Sequence, residues 1–169
     1  NNDNPNNAKN NKILEIVKDN IQQKNKCIVF VEFKETGITI ANFLKQNNIN
    51  VINTINETSY HIGQVVMKFK TAEEPGVIIF TNKTGSHAYD IPQANIVIFA
   101  ELPWYYYVKD QAFHRVLRPG QNKDVIVYTL LNNGMVDESI NITVENRKIT
   151  STNMTDRSSY SHLESLTYL

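Results

Sequence analysis

Short apolar runs alternate along this chain with segments in which apolar residues recur at helical spacing. The runs suit strands that are buried on both faces, and they lie at 26–31, 50–53, 76–80, 95–100 and 124–130. The periodic segments suit amphipathic helices, and they lie at 11–23, 36–46, 59–69, 106–117 and 136–148. Strands that alternate with helices predict an α/β fold of three layers, in which a parallel sheet carries helices on both faces.

A polar segment, 81–90, follows the buried strand 76–80 and is predicted to be a loop. In parallel α/β folds, ligands bind beyond the carboxyl ends of the strands. This segment concentrates small hydrogen-bonding residues together with Lys83 and Gly85. Backbone amides and hydroxyls of this kind hold DNA or RNA phosphates, and a lysine adds charge. The alternative interpretation is an ordinary connection between a strand and a helix.

The composition narrows the class of protein. The 169 residues fit one domain with a real core, and the formal net charge is zero with a pI of about 7.1. A neutral chain is not expected to coat nucleic acid, although a local basic patch fits. Cys27 is the single cysteine, so no disulfide forms within the chain and an intracellular, reducing compartment is expected. No apolar run reaches membrane-spanning length.

The two ends of the chain differ in composition from the middle. Residues 1–11 are mostly asparagine and are predicted to be a disordered leader. Residues 12–149 form the predicted folded lobe. The tail, 150–169, is rich in Ser and Thr, and it is predicted to be either disordered or docked as a short helix over 161–169.

The segment 110–121 carries the most specific pattern. On a helix, Gln111, Arg115 and Arg118 fall on one face. Pro119 biases the preceding residue away from helical dihedrals, so Arg118 is predicted at or just past the helix end. Two guanidinium groups held side by side repel each other unless an anion lies between them, and forked donors match phosphate oxygens. The sequence therefore indicates a polyphosphate site, with a helix carrying two solvated arginines as the alternative.

Other motifs for phosphate or metal chemistry are missing. The chain has no Gly-x-x-x-x-Gly-Lys-Ser/Thr loop. The acidic pair at 137–138 is expected to complement a helix N-terminus rather than to hold magnesium. No zinc site is expected, because the four histidines show no ligand spacing: His61, His87, His114 and His162. Arginines without a phosphate loop suggest a domain that completes another domain's site, as arginine fingers do.

These motifs together resemble a known family. Residues 12–148 are similar to the C-terminal RecA-like lobe of superfamily 2 helicases, in the SNF2 (Swi2/Snf2) branch. The segment 111–121 matches that family's motif VI, Gln-Ala-x-x-Arg-x-x-Arg-x-Gly-Gln, at every fixed position. The segment 27–33 resembles motif IV of the family, and the segment 81–91 lies where motif V belongs. Motif V is less regular here, because Ser86 and Ala88 stand where the family usually has glycine.

The resemblance implies the second motor lobe of an ATP-dependent DNA translocase or helicase. ATP and Mg²⁺ would be held mainly by an N-terminal RecA-like lobe of the same polypeptide, and this chain alone is expected to be inactive because it lacks Walker motifs. The arginine fingers would be Arg115 and Arg118. The residues at the nucleotide and lobe interface would be Gln111, Gly85 and Asp90. The contacts to the duplex DNA backbone would come from Asn82, Lys83 and Thr84.

Two other interpretations remain open from the sequence. A degenerate RecA-like lobe without catalytic function would act as a nucleic-acid or protein interaction module, and the irregular motif V favours this. A flavodoxin-like ligand-binding domain would account for the fold but would leave motif VI unexplained.

Overall fold

The computed structural model describes residues 5–101, 106–132, 140–147 and 166–168. Within these ranges the helices are α1 (Pro5–Gln22), α2 (Lys34–Gln46), α3 (Ser59–Thr71), α4 (Asn82–Ala88) and α5 (Tyr106–Val116). The strands are β1 (Cys27–Val31), β2 (Val51–Asn53), β3 (Val77–Thr81), β4 (Ile96–Phe99), β5 (Val125–Asn132), β6 (Ile140–Arg147) and β7 (Leu166–Tyr168). No helix in the described part of the chain is long and apolar enough to cross a membrane.

One sheet organises the molecule, with the strand order β2-β3-β1-β4-β5-β6-β7. The strands from β2 to β5 in this order are parallel. The last two strands, β6 and β7, are antiparallel to their neighbours. All five predicted strands are present, and the parallel part of the sheet is confirmed. Its carboxyl ends meet at one edge, which is where parallel α/β folds bind their ligands.

Alternate residues of the central strand β1 face two separate cores. Cys27, Val29 and Val31 lie in the core that α1 and α2 cover. Ile28 and Phe30 lie in the core that α3 and α5 cover. Because successive side chains of a strand point to opposite faces, a continuous apolar run can fill both cores. Helices therefore cover both faces of the sheet, and the predicted three-layer α/β fold is confirmed.

The segment predicted as the loop 81–90 contains a helix. α4 begins after Thr81, whose hydroxyl oxygen accepts a hydrogen bond from the Thr84 amide at 3.2 Å. Threonine is a favoured N-cap residue because its oxygen satisfies one of the first unpaired amides of the helix. The loop prediction was wrong because small polar residues were weighted as loop formers, whereas here one of them starts a helix.

The prediction of a closing helix at 136–148 is wrong for the described residues 140–147, which form strand β6. Ile140, Ile142 and Val144 alternate with polar residues, which is the period of a strand with one buried face. Ile140 and Val144 are four positions apart, and residues four apart lie on the same face of a helix and also on the same face of a strand. All eight residues pair with β5 in antiparallel register, so tertiary pairing decides the outcome.

Both ends of the chain carry more regular structure than predicted. α1 begins at Pro5, inside the segment 1–11 that was expected to be a disordered leader. Proline fits the first turn of a helix, and Lys9 and Asn10 are buried at 7% and 6% exposure. In the tail 150–169, the described residues 166–168 pair with β6 as a strand, so they do not form the short helix predicted over 161–169. The other tail residues lie outside the described part of the chain.

Candidate functional site

The predicted arginine pair lies where α5 ends. Arg115 is in the last turn of α5, which ends at Val116, and Arg118 lies in the turn that follows. That turn is closed by a hydrogen bond of 3.0 Å from the Gln121 amide to the Arg118 carbonyl oxygen. Gly120 has a φ of +100°, a conformation that favours glycine. The predicted position of Arg118 just past the helix end is confirmed.

Asp90 brings the two arginines together. Its Oδ1 lies 3.1 Å from Nη1 of Arg115 and 3.3 Å from Nε of Arg118. The Ile91 amide donates to the Arg115 carbonyl oxygen at 2.8 Å, so the backbone that carries Asp90 is joined to α5. The side chains of Arg115 and Arg118 remain 28% and 46% exposed. Two guanidinium groups therefore share one carboxylate oxygen, and forked donors held side by side in this way suit an anionic ligand.

The two glutamines of motif VI differ in their environment. Gln111 is exposed on α5. Gln121 is buried, and its side-chain amide donates to the Ala94 carbonyl oxygen at 2.6 Å. Its Oε1 accepts a hydrogen bond from the Lys123 amide at 3.1 Å. The hydrogen bonds of Gln121 therefore connect the turn after α5 to the segment before β4, and they stabilise the fold.

α4 carries the predicted DNA-binding residues, and they do not share one environment. Asn82 is buried at 4% exposure, and its Nδ2 donates to Glu32 Oε2 at 2.7 Å. Lys83 is exposed, and Thr84 is half-buried with its hydroxyl accepting from Thr81 Oγ1 at 3.0 Å. The burial of Asn82 favours a role inside the protein over a contact to DNA.

Gly85, predicted at the nucleotide interface, is buried at the contact between α4 and the sheet. A Cβ atom at this position would lie 2.3 Å from Cε1 of Phe30 and 2.9 Å from Cβ of Phe80. Glycine is therefore needed here because the helix backbone approaches the aromatic rings closely. This packing gives a structural reason for the glycine, independent of any nucleotide.

A polar cleft of about 230 Å³ opens at the carboxyl ends of the strands. Its lining comes from the ends of β2 and β3 and from the starts of α2, α3 and α4, and consists of Lys34, Thr54, Ile55, Asn56, Glu57, Ile62, Thr81 and Thr84. Lys34 Nζ donates to Asn56 Oδ1 at 3.1 Å. Lysine, threonine and asparagine side chains are groups that bind backbone phosphates, and Glu57 adds one carboxylate to the same lining.

The sequence did not single out Lys34 or Asn56 as functional residues. Lys34 directly follows the turn after β1, so its place at the carboxyl edge of the sheet was a usable signal. Asn56 has a φ of +69°, a conformation that asparagine tolerates better than most residues. This conformation depends on the folded loop and is not visible in the sequence.

Two groups outside the cleft, one buried and one half-buried, have shifted pKa values. Burial raises the pKa of the Cys27 thiol from 9.0 to about 12, so this cysteine is unreactive at neutral pH. Burial also lowers the pKa of Lys26, whose ammonium group donates to the Phe69 and Ala72 carbonyl oxygens at 2.7 and 2.6 Å. Lys26 therefore satisfies carbonyl groups at the end of α3.

The sequence is similar to one family model and to several curated proteins. Residues 8–120 match the helicase conserved C-terminal domain. An uncharacterized ATP-dependent helicase of Mycoplasma genitalium is 29% identical over 148 residues, which is 87% of this chain and 14% of that protein. Protein CHROMATIN REMODELING 8 of Arabidopsis thaliana is 27% identical over 129 residues, which is 76% of this chain and 11% of that protein. The chain thus spans a small part of the length of these relatives.

Solved structures share the fold. The C-terminal part of the Fun30 ATPase domain superposes with a TM-score of 0.64 and 22% identity, covering 70% of this chain and 39% of that chain. The Pyrococcus furiosus Hef helicase domain superposes with a TM-score of 0.53 and 26% identity, covering 65% of this chain and 22% of that chain. Both agree with the three-layer α/β architecture.

Proposed function

This chain belongs to the family of helicase conserved C-terminal domains, as its sequence predicts, and we propose that it is the second motor lobe of an SNF2-like DNA translocase or helicase. The observation that carries the proposal is the arrangement of Arg115 and Arg118 around Asp90. One carboxylate holds two partly exposed guanidinium groups side by side at the end of α5. A polyphosphate can replace that carboxylate, because it offers several oxygens to the same forked donors.

In this function Arg115 and Arg118 act as arginine fingers. They stabilise the charge that develops on the γ-phosphate of ATP, while an N-terminal RecA-like lobe of the same polypeptide holds ATP and Mg²⁺. Gln111 is exposed on the same helix and is available to the lobe interface. Asp90 keeps the guanidinium groups together before the nucleotide arrives, and it must release at least one of them when the phosphate binds.

DNA binds in this proposal at the cleft beside α4. Lys34 and Thr84 line the cleft, and Lys83 lies exposed on the same helix as Thr84. Their ammonium and hydroxyl groups contact the phosphates of the DNA backbone. Asn82, which is buried against Glu32, joins the start of α4 to the turn after β1.

The test of the arginine role is the DNA-stimulated ATPase activity of the two-lobe protein. Arg118→Ala should lower kcat by a factor on the order of 10³–10⁵, the usual contribution of an arginine finger, and should leave duplex DNA binding unchanged. Lys45→Ala, which removes an exposed charge from α2, is the control. Equal hydrolysis by Arg118→Ala and the unmutated protein would rule out the finger.

The test of the DNA contact is the salt dependence of binding. Lys83→Ala should weaken binding and reduce the slope of log K against log salt by about one unit, since one phosphate contact is lost. Lys18→Ala, on the exposed face of α1, should leave the slope unchanged. An unaltered slope for Lys83→Ala would remove Lys83 from the contact surface.

A second candidate is a non-catalytic lobe that serves as an interaction module. The specific observation in its favour is that Asp90 already engages both guanidinium groups, so the pair also has a structural explanation. This candidate predicts DNA or protein binding without ATP hydrolysis in the two-lobe protein, and Arg118→Ala would then affect stability alone.

A further inference from the structure

A carboxylate at the end of one strand holds the start of a helix that follows the neighbouring strand. Glu101 lies just beyond β4. Its Oε2 accepts hydrogen bonds from the backbone amides of Glu32 at 2.8 Å and Phe33 at 3.1 Å. Its Oε1 accepts a hydrogen bond from Thr36 Oγ1 at 2.9 Å. The Glu101 side chain is 17% exposed, so these bonds are largely shielded from water.

α2 lacks a cap of its own. Its N-cap residue is Phe33, which makes no side-chain capping hydrogen bond. The first amides of a helix have no partner within the helix, and a side-chain oxygen usually satisfies one of them. Here Glu101, from the segment after β4, accepts from the amide of the N-cap residue Phe33 and from that of Glu32 before it. Its negative charge also suits a helix N-terminus. Lys9 Nζ of α1 lies 4.0 Å from Oε1 of Glu101 and offsets part of this charge.

The turn that Glu101 holds carries Glu32, which contacts α4, and leads directly to Lys34, which lines the proposed DNA site. Glu32 accepts the hydrogen bond from Asn82 and so contacts the first residue of α4. Lys34 lines the cleft and donates to Asn56. The three hydrogen bonds to Glu101 therefore fix the backbone of the turn from which Lys34 reaches the cleft.

We propose that Glu101 is a positioning residue for nucleic-acid binding, which acts by fixing the turn 32–34 and thereby the place of Lys34. This inference rests on the proposed DNA contact of the cleft. The DNA does not touch Glu101 in this arrangement. Loss of the carboxylate frees the turn, so Lys34 must be ordered when the DNA phosphate binds, and that ordering reduces the affinity.

Two variants separate the hydrogen bonds from the charge. Glu101→Ala removes all three acceptors. Glu101→Gln keeps an amide oxygen for the two backbone amides, and its NH₂ group can donate to the Thr36 hydroxyl. Glu101→Gln should therefore keep most of the order of the turn. A general effect of charge on DNA binding would instead appear in both Glu101→Ala and Glu101→Gln. Glu74→Ala removes an exposed carboxylate elsewhere and measures that general effect.

The first measurement is amide hydrogen exchange of the whole chain by NMR, without DNA. Glu101→Ala should speed exchange at Glu32 and Phe33 about tenfold or more, as expected for a lost hydrogen bond to a charged group. It should also shift the side-chain amide resonance of Asn82. Glu101→Gln should stay close to the unmutated chain, and Glu74→Ala should match it. Unchanged amide exchange in Glu101→Ala would overturn the inference. If Glu101→Ala does not fold, Glu101→Gln provides the test. Weakened DNA binding by Glu101→Gln, with the Asn82 side-chain resonance and the exchange rates unchanged, would then overturn the inference.

The second measurement is binding of a fluorescently labelled DNA duplex to the same variants at low salt. Lys34→Ala should weaken binding in the unmutated chain by about threefold to tenfold, the share of one phosphate contact. In the Glu101→Ala background the same change should have almost no further effect, because the two residues act through one turn. An undiminished effect of Lys34→Ala in that background would contradict the positioning role.

The outcomes also separate this inference from the proposed function. If Lys34→Ala leaves DNA binding unchanged in the otherwise unmutated chain, the DNA contact of the cleft is wrong, and the positioning role falls with it. If Lys34→Ala weakens binding but a folded Glu101→Ala chain binds like the unmutated one, the DNA contact stands and the role of Glu101 alone is overturned.

Discussion

The carboxylate of Asp90 lies 3.1 Å from Nη1 of Arg115, and the same oxygen reaches Arg118. In the proposed phosphate site this carboxylate competes with the anionic ligand for both guanidinium groups, so Asp90→Asn should raise the affinity of the chain for tripolyphosphate. An exposed ion pair contributes about 0.2–1 kcal/mol, so the dissociation constant should fall by a factor of about 1.4 to 5. Isothermal titration calorimetry on the 169-residue chain measures this change.

Asp19→Asn is a matched control, since it removes the same charge from an exposed position on α1. Arg118→Ala should act in the opposite direction and weaken tripolyphosphate binding. If Asp90→Asn binds no more tightly than Asp19→Asn, the carboxylate does not compete with the ligand, and the arginine pair is held mainly for structural reasons.

The glycine in α4 provides a test of helix–sheet packing. Gly85→Ala should destabilise the chain by about 1–3 kcal/mol, the usual cost of overpacking, because its Cβ would lie 2.3 Å from Cε1 of Phe30. Gly63→Ala in α3 is the control: a Cβ there meets nothing within 4 Å. Alanine should stabilise that helix by about 0.5–1 kcal/mol. Urea denaturation of both variants gives the two free energies, and equal values would show that α4 can move away from the sheet.

Much of the fold could be predicted because its strands are apolar over their whole length. The run from Cys27 to Val31 indicates burial on both faces, and the alternation with helices then requires a parallel sheet. α4 and β6 were missed for a different reason. Thr81 was treated as a loop residue although it caps a helix, and the spacing between Ile140 and Val144 suits a helix and a strand equally. Only pairing with β5 distinguishes them.

In the candidate site, too, the sequence predicts the local features but not the contacts between residues far apart in the chain. The spacing of Arg115 and Arg118 is local, so the sequence was sufficient to place both near a helix end. Their shared contact with Asp90 spans 25 residues or more, and no spacing rule predicts it. Glu101 holds Glu32 across 69 residues, which requires β1 and β4 to be neighbours in the sheet. Such contacts depend on strand order, which the alternation of elements does not specify.

Gln121 is expected to matter for stability and not for ligand binding. Gln121→Ala removes the donor to the Ala94 carbonyl oxygen and leaves a buried acceptor unpaired, which costs about 1–3 kcal/mol. Asn122→Ala, one residue further along and exposed, should change stability by less than about 0.5 kcal/mol. Thermal unfolding measures both variants. Weakened tripolyphosphate binding by a folded Gln121→Ala chain, at temperatures well below its Tm, would instead assign this residue to the ligand site.

Cys27 should make the chain less stable at alkaline pH. Burial raises its pKa from 9.0 to about 12, so above pH 9.0 the unfolded chain loses the thiol proton while the folded chain keeps it. The folded state then binds more protons, and the free energy of unfolding falls as pH rises, by up to about 1.4 kcal/mol per pH unit. The contribution of the buried thiol to the free energy of unfolding is fully present below pH 9.0, and it is lost as the pH rises toward 12.

The Cys27→Ala variant isolates this effect, because Lys26 and all other titrating groups are common to both chains. Burial lowers the pKa of Lys26, so Lys26 makes the free energy of unfolding rise with pH. This effect is the same in both chains and cancels when their stabilities are subtracted. Urea denaturation between about pH 8 and 10.5 should show the stability of the unmutated chain declining more steeply than that of Cys27→Ala. Parallel curves would mean that the folded chain exposes the thiol to water, in which case iodoacetamide should modify Cys27 in the folded state.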